Sequence, residues 1–311
     1  MEGDAGGLGL KRILIFADTG WCIGEIHRNI APYIGGECIP WWEKIPDDKL
    51  RNYDLILTEA GDGTKHLIEY YGIPRERILA VSHAEQDSQR LLHNDGDANI
   101  RQYAGYGVVS DTLACSSISI GITRVPSVLR VGVDCSFYDS PIPEKLETVG
   151  YGASYRRTNE FGVEIKRGPL AEMSAKLAGL RFTTAVGPGN CRFTGTLKEH
   201  MPAYYRSVDC VIMSSLQEGG GMPPLEAAAA GRLVIGTPVG NFPRLAYEGM
   251  GIMAPLNEKA FVDFTYRTLV KYRDNPVLFR EKCASIKEAA QKRAWINVMP
   301  DWIRFASQAS L

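Results

Sequence analysis

Residues 217–231 read QEGGGMPPLEAAAAG, with two carboxylates, Glu218 and Glu226, flanking Gly219, Gly220, Gly221 and a Pro-Pro pair. The run before it, CVIMSS, is apolar and strand-like and ends at Ser215. Pro223 and Pro224 suit the first turn of a helix, where a missing N–H costs little. LEAAAA has strong helix propensity, and Gly231 supplies a C-terminal stop. The stretch therefore reads strand, glycine loop, helix N-terminus. Backbone amides and the helix dipole favour an anion there, such as phosphate, and glycines let the backbone approach it closely. Glu226 falls in the first turn of this helix. It either complements the dipole or accepts hydrogen bonds from a sugar diol. Glu218 can reach a second polyol. A diphosphate at the amides, a ribose at one acid and a sugar at the other would use both carboxylates. Two solvated surface charges are the plainer alternative.

The elements that must position this loop recur along the chain. Short runs rich in Val, Ile and Leu stand at 11–18, 53–61, 77–85, 107–111 and 127–133, then at 148–154, 181–187, 209–215, 232–238 and 251–255. They do not alternate cleanly, as expected of parallel strands buried on both faces. Helical patches lie between them, among them LAEMSAKLAGL, with Leu170, Met173 and Leu177 at helical spacing. Alternating strands and helices predict α/β architecture with parallel sheets. The segment 134–147 carries two prolines and several acids without a period, and reads as a linker. The expected organisation is a tail at 1–10, a Rossmann-like domain at 11–140, a linker at 141–147, a second Rossmann-like domain at 148–292 and a terminal helix at 293–311. Ligands are then expected beyond the carboxyl ends of the strands, in a cleft between the facing domains.

Composition bounds the classes. The chain has 311 residues, 23% charged and 45% hydrophobic, with a formal net charge of −1. That is ordinary for a two-domain soluble protein and gives no global basic field for nucleic acid. No apolar run approaches the ~18–20 residues of a membrane span, and the first ten residues read as a frayed tail rather than a signal peptide. The seven cysteines are scattered and form no CxxC or Cys/His pair. They read as reduced core thiols of a cytoplasmic protein, with no metal site.

Residues 193–245, FTGTLKEHMPAYYRSVDCVIMSSLQEGGGMPPLEAAAAGRLVIGTPVGNFPRL, resemble the donor-binding region of family-4-type retaining glycosyltransferases of GT-B fold. The signature of that family is a Glu, seven residues, Glu, here Glu218 and Glu226, preceded by a YRxxD helix, here Tyr205, Arg206 and Asp209. More weakly, residues 108–141 resemble the last strand and helix of the family's N-terminal domain with its GVD…F passage, and 148–168 resemble its first donor-domain strand. The resemblance implies a metal-independent transfer, with retention, from a nucleotide-diphosphate sugar to an acceptor hydroxyl, and no further cofactor. It implies Arg156 and Lys166 on the diphosphate, with Arg157 competing for the first role across an unusually long segment. It also implies Gly20 near the donor phosphate, and Met222, Pro223, Leu225 and Thr194 along the donor. The acceptor is a glycan, a lipid-linked molecule or a small molecule, and peripheral membrane contact stays open. A GT-B nucleotide-sugar epimerase and a non-catalytic glycan- or nucleotide-binding protein are the alternatives.

The chain has five histidines. His83 ends the strand ILAVSH and is expected to face the sugar or the acceptor. His27, His66, His93 and His200 read as surface or helix residues. Asp95-Gly96-Asp97 matches a DxD metal motif in form but sits in a polar, turn-like context. Trp41 and Trp42 either pack in a loop or line an acceptor groove. Trp295, Ile303 and Phe305 read as packing residues of the last helix. Two departures from the family stand out: an N-terminal domain of trimmed length, and GNFPR at 240–244, where Arg244 replaces an acid. No G-x-G-x-x-G follows the first strand, which argues against a nicotinamide oxidoreductase.

Overall fold

Continuous apolar runs become buried strands, and their order places the loops that matter. The computed structural model describes residues 12–18, 21–159, 162–185 and 198–308. The chain divides into two compact units, one reaching to Val131 and resuming at Val298, the other spanning Gly132–Asn297. The break therefore falls ahead of the segment read as a linker, and residues 134–147 run with the second unit.

The first unit alternates β1 (Ile13–Ala17), α1 (Trp21–Ile34), β2 (Gly36–Pro40), α2 (Asp47–Arg51), β3 (Leu55–Glu59), α3 (Asp62–Glu69), β4 (Ile78–Ser82), α4 (Glu85–Ile100), β5 (Gly105–Val108), α5 (Asp111–Ser119) and β6 (Ser127–Val128). Its sheet is parallel, in the order β2-β1-β3-β4-β5-β6. Strand order reverses between β1 and β3, the kind of switch point at which open α/β sheets bind ligands. β1 and β4 are buried along their whole length. β2, GECIP, is an edge strand with only Ile39 buried. It has neither an apolar run nor alternation, which is why its residues did not announce a strand.

The second unit runs β7 (Thr148–Tyr151), α6 (Gly168–Leu177), β8 (Arg181–Thr184), α7 (Met201–Arg206), β9 (Cys210–Met213), α8 (Met222–Ala229), β10 (Leu233–Gly236), α9 (Phe242–Tyr247), β11 (Ile252–Met253), α10 (Glu258–Arg273) and α11 (Pro276–Ala290). Its parallel sheet has the order β11-β10-β9-β7-β8. α6 forms where the spacing of Leu170, Met173 and Leu177 predicted a helix, but it is turned. Met173 and Leu177 are exposed, and the buried face is Ala171, Ser174 and Ala175. Small side chains let the helix sit close to its neighbours, and that constraint outweighs the larger apolar stripe. Among the described cysteines, Cys210 and Cys283 are buried and free.

The last helix, α12 (Trp295–Gln308), packs within the first unit from Val298 onward. Arg130 and Asp301 form a forked pair at 2.5 and 3.2 Å, and the Trp302 indole N–H donates to the Arg130 carbonyl at 2.9 Å. The Phe305 ring lies so close to β5 that a Cβ on Gly105 would stand 2.8 Å from it. Trp295 and Phe305 are buried as expected, whereas Ile303 is exposed. Asp95-Gly96-Asp97 is a kink inside α4, with Gly96 at φ 72°. Asp95 pairs with Arg75 at 2.5 Å and Asp97 with Arg101 at 2.7 Å. Those ion pairs give the two acids a structural role.

Trp302 is fully buried, so Trp302→Ala should destabilise the protein by about 3–5 kcal/mol through lost contacts and a cavity. The urea unfolding midpoint reads it, and a midpoint unchanged within error would remove α12 from the core of this unit.

Candidate functional site

In the second unit, the loop before α6 is tied to the loop after β9. Arg167 occupies the N-cap of α6 with a left-handed backbone, φ 48°, rare outside glycine. Its guanidinium donates to the carbonyls of Ser214 at 2.7 Å and Leu256 at 3.0 Å, and reaches Ser215 at 3.5 Å. Ser214 Oγ returns the tie by donating to the Arg167 and Lys166 carbonyls at 2.7 and 3.1 Å. The Tyr151 hydroxyl also donates to the Lys166 carbonyl. Burial pushes the Arg167 guanidinium below its ordinary range, and the carboxylate of Glu258 opposes this.

Lys166 is thereby delivered to Glu218. Its Nζ bonds Glu218 Oε1, and Ser215 Oγ donates to the same oxygen at 2.7 Å. Both side chains are nearly closed to solvent, 12% and 13% exposed, so the pair is screened far less than a surface ion pair. The glycines that follow are held from behind. Asn241 Nδ2 donates to the Gly220 carbonyl, and Gly240, at φ 58°, passes so close that a Cβ would stand 2.5 Å from the Gly219 carbonyl. Gly221, at φ 49°, caps α8, with prolines in the first turn. Gly231 follows α8 at φ 72°, the helix stop read from the sequence.

Glu226 is the fifth residue of α8 and so opens its second turn, because the helix starts at Met222, one residue before the prolines. It is 6% exposed. The Tyr138 hydroxyl donates to its Oε1 at 2.8 Å and the Tyr205 hydroxyl to its Oε2 at 2.7 Å. Burial, and then the charge of Glu226, push the Tyr205 phenol far above its ordinary range, so it stays a donor. Asp209, of the same YRxxD stretch, accepts from the amides of Glu147 and Thr148 and so fixes the start of β7.

The structure thus gathers Lys166, Glu218, Gly219, Gly220, Gly221 and Glu226 about the carboxyl end of β9 and the N-terminus of α8. Met222 and Leu225 are buried in the core behind the loop, while Pro223 is partly exposed. Arg156 is exposed and pairs with Glu164 at 3.7 Å. Arg157 is exposed too, and only its carbonyl is engaged, by the Ile165 amide. The long segment between β7 and α6 loops out through its own β-bridge, Thr158 to Glu164, and carries both arginines with it. Gly20 and Thr194 lie outside the described residues. Arg167, Tyr138 and Tyr205 were not read as site residues. An arginine directly before a Gly-Pro pair at a helix start was the available signal for the first.

In the first unit, His83 follows β4 as expected and is 6% exposed, and neither ring nitrogen has a hydrogen-bond partner among the described residues. His27, read as a surface or helix residue, is fully buried in α1, and its ring meets His83 edge-on at 5.1 Å. α1 packs on the sheet at this point, and burial overrides the usual exposure of a helical histidine. Burial pushes His27 down to about 4, and burial followed by the neighbouring His27 pushes His83 well below the ordinary range. Acids gather at the same end of the sheet. Glu59 accepts from the Asp18 amide at 2.7 Å and is pushed up to about 7 by burial. Asp87 accepts from the amides of His83 and Ala84 and is pushed up to about 6, also by burial. Trp41 and Trp42 meet edge-to-face at 6.1 Å, and both are exposed. Among the described residues, no group of three or more His, Cys, Asp or Glu is arranged to hold a metal, and no helix is long and apolar enough to cross a membrane.

Residues 167–270 match the family model described as Glycosyl transferases group 1. The match begins at Arg167 and contains the whole loop from Ser214 to α8. Among solved structures, sucrose-phosphate synthase from Thermosynechococcus elongatus aligns over 96% of this chain and 98% of its own, at 14% identity and TM-score 0.70. Anabaena HepE, in a complex with UDP, aligns over 95% and 99%, at 13% identity and TM-score 0.64. A glycosyltransferase from Rickettsia africae aligns over 97% and 99%, at 12% identity and TM-score 0.61. None of the curated proteins matches significantly. The fold is GT-B, and residues 167–270 of the second unit are similar to a glycosyltransferase family, as the resemblance of residues 193–245 implied.

The two buried imidazoles generate a pH dependence with a definite sign. His27 is neutral when folded and takes up a proton when unfolded below about pH 6.5, so stability is lost as pH falls from 6.5 towards 4. Glu59 and Asp87 act in the opposite sense, because their raised values make the folded state bind protons first. Comparing wild type with His27→Gln isolates the histidine. The stability difference between the two should change by about 1.4 kcal/mol per pH unit between pH 6 and 4.5, in urea titrations. Parallel curves would mean that His27 is not held neutral.

Proposed function

We propose that the protein transfers a glycosyl group from a nucleotide-diphosphate sugar to an acceptor hydroxyl, with retention and without a metal ion. One observation carries this reading. Two carboxylates flank a glycine turn at a helix N-terminus, one of them held by a lysine, inside the segment that matches a glycosyltransferase family. On this reading the diphosphate lies at Lys166 and the amides of Gly219 to Gly221, where fixed dipoles and a poorly screened cation oppose the charge that develops on the leaving group. Glu226 takes the ribose diol and Glu218 the transferred sugar.

The bond broken joins the anomeric carbon to the diphosphate oxygen, and the bond formed joins that carbon to the acceptor oxygen. The acceptor's proton passes to the departing diphosphate on the same face, as the family resemblance implies. A double displacement by the two acids does not suit this arrangement, because Glu226 belongs to the ribose. His83, neutral at physiological pH, is suited to donate or accept one hydrogen bond at the sugar or acceptor. Arg156 would join the diphosphate only by leaving Glu164. Reduced thiols fit a cytoplasmic enzyme, and the acceptor is a glycan, a lipid-linked molecule or a small hydroxylated molecule. HepE binds UDP and UDP-glucose, which makes the uridine nucleotide the first to test.

Thermal unfolding with UDP, GDP, ADP, dTDP and CMP tests the donor site. A ligand that binds only the native state adds about 2.7 kcal/mol at a hundred times its dissociation constant. One diphosphate should raise Tm clearly, and Lys166→Ala and Glu226→Ala should each lose most of that ligand-induced rise. The matching nucleotide-sugar should then be consumed only with an acceptor or, slowly, with water. Well-folded protein that responds to none of the nucleotides would overturn the reading.

A further inference from the structure

Glu226 is a buried carboxylate gripped by two phenols that come from separate parts of the second unit. Tyr138 arrives from the irregular segment after Val133, and Tyr205 from α7. Both rings are fully buried, and they meet edge-on at 5.7 Å. One hydroxyl bonds each oxygen of the carboxylate, at 2.8 and 2.7 Å. A glutamate's terminal torsion is broad and readily turned, so one donor alone fixes little. Two donors, one per oxygen, set both the plane of the carboxylate and its rotamer.

The surroundings pack closely on this clamp. A Cβ on Gly152, at the end of β7, would stand 3.2 Å from the Tyr205 hydroxyl and 3.0 Å from Pro223 Cβ, in the first turn of α8. Glycine there lets the end of β7 pack directly against the clamp, and Gly152 is only partly buried. A carboxylate with a fixed plane is matched to two O–H donors on adjacent carbons, which is what a vicinal diol presents.

We propose that Tyr138 and Tyr205 are positioning residues that hold the Glu226 carboxylate in register for a vicinal diol, so that Tyr138 contributes to the preference for a ribonucleotide over a 2′-deoxyribonucleotide. The inference rests on the reading that Glu226 receives the ribose. A purely structural role for the tyrosines makes a different prediction. Losing a hydroxyl that only satisfies a buried charge weakens the fold, and weakens both nucleotides alike. Losing a hydroxyl that orients the carboxylate weakens only the nucleotide that uses the diol.

Calorimetric titration of UDP, GDP and ADP, each against its 2′-deoxy counterpart, tests this in wild type, Tyr138→Phe and Tyr205→Phe. Wild type should favour the ribo form of its cognate nucleotide by on the order of ten- to a hundredfold, the range for a charge-assisted hydrogen bond. In Tyr138→Phe that ratio should fall several-fold, with the 2′-deoxy affinity near the wild-type value. An unchanged ratio, with both affinities reduced together, would overturn the inference and leave the donor site standing. Tighter ribonucleotide binding by Tyr138→Phe would also overturn it, because the hydroxyl would then compete with the ribose. Failure of every nucleotide to bind wild type would instead remove the reading on which the inference rests. If Tyr138→Phe does not fold, Tyr205→Phe decides on the same ratio.

Discussion

The second unit depends on one arginine. Strand ends in a parallel sheet leave carbonyls without partners, and unpaired buried carbonyls are costly. Arg167 satisfies those of Ser214 and Leu256, at the ends of two different strands, with one planar fork. To do so its backbone takes a left-handed conformation, a strain of about 1–3 kcal/mol that persists only where the surroundings over-determine it. The guanidinium bonds and the return bonds from Ser214 provide that over-determination. The residue before Arg167 is Lys166, so the same constraint that closes the strand ends aims the lysine at Glu218. A lysine at 167 would keep the charge and lose the fork.

The two acids of the glycine loop are therefore stabilised in different ways. Glu218 has a cation and a serine hydroxyl on one oxygen, and its charge is largely neutralised locally. Glu226 accepts from two phenols, one on each oxygen. The Lys166 ammonium is already engaged by Glu218, whereas the Glu226 carboxylate is set in orientation by neutral hydroxyls. The glycines between the acids are backed by Gly240 and Asn241, so the turn that separates these two environments cannot relax freely.

Much of this was legible in the sequence because it lies on strongly patterned elements. The buried strands at 13–17, 78–82, 210–213 and 233–236 are short Val/Ile/Leu runs, and α8 carries its prolines at the start and its glycine at the end. What escaped depends on tertiary context. β2 is an edge strand whose residues need only one paired side. α6 turned its small residues inward because close packing mattered more than the volume of Met173 and Leu177. His27 resembled any polar helical residue until α1 was laid on the sheet beside His83. Tyr138 and Glu226 are eighty-eight positions apart, and no local pattern joins them. Arg156 and Arg157 were placed by the family resemblance, and the segment that carries them folds on itself through the Thr158–Glu164 bridge with both side chains exposed.

The first unit shows a different use of burial. At the carboxyl end of its sheet, histidines that would ordinarily be partly charged are held neutral, and Glu59, which would ordinarily be charged, is brought to titrate near neutrality. Both shifts have desolvation as their largest cause, so both reduce local charge. The second unit does the reverse, concentrating Lys166, Glu218 and Glu226 within one loop region. Burial thus acts differently in the two units: in the first, desolvation lowers the charge of individual groups, and in the second, Lys166 and Glu218 are buried together as a bonded pair.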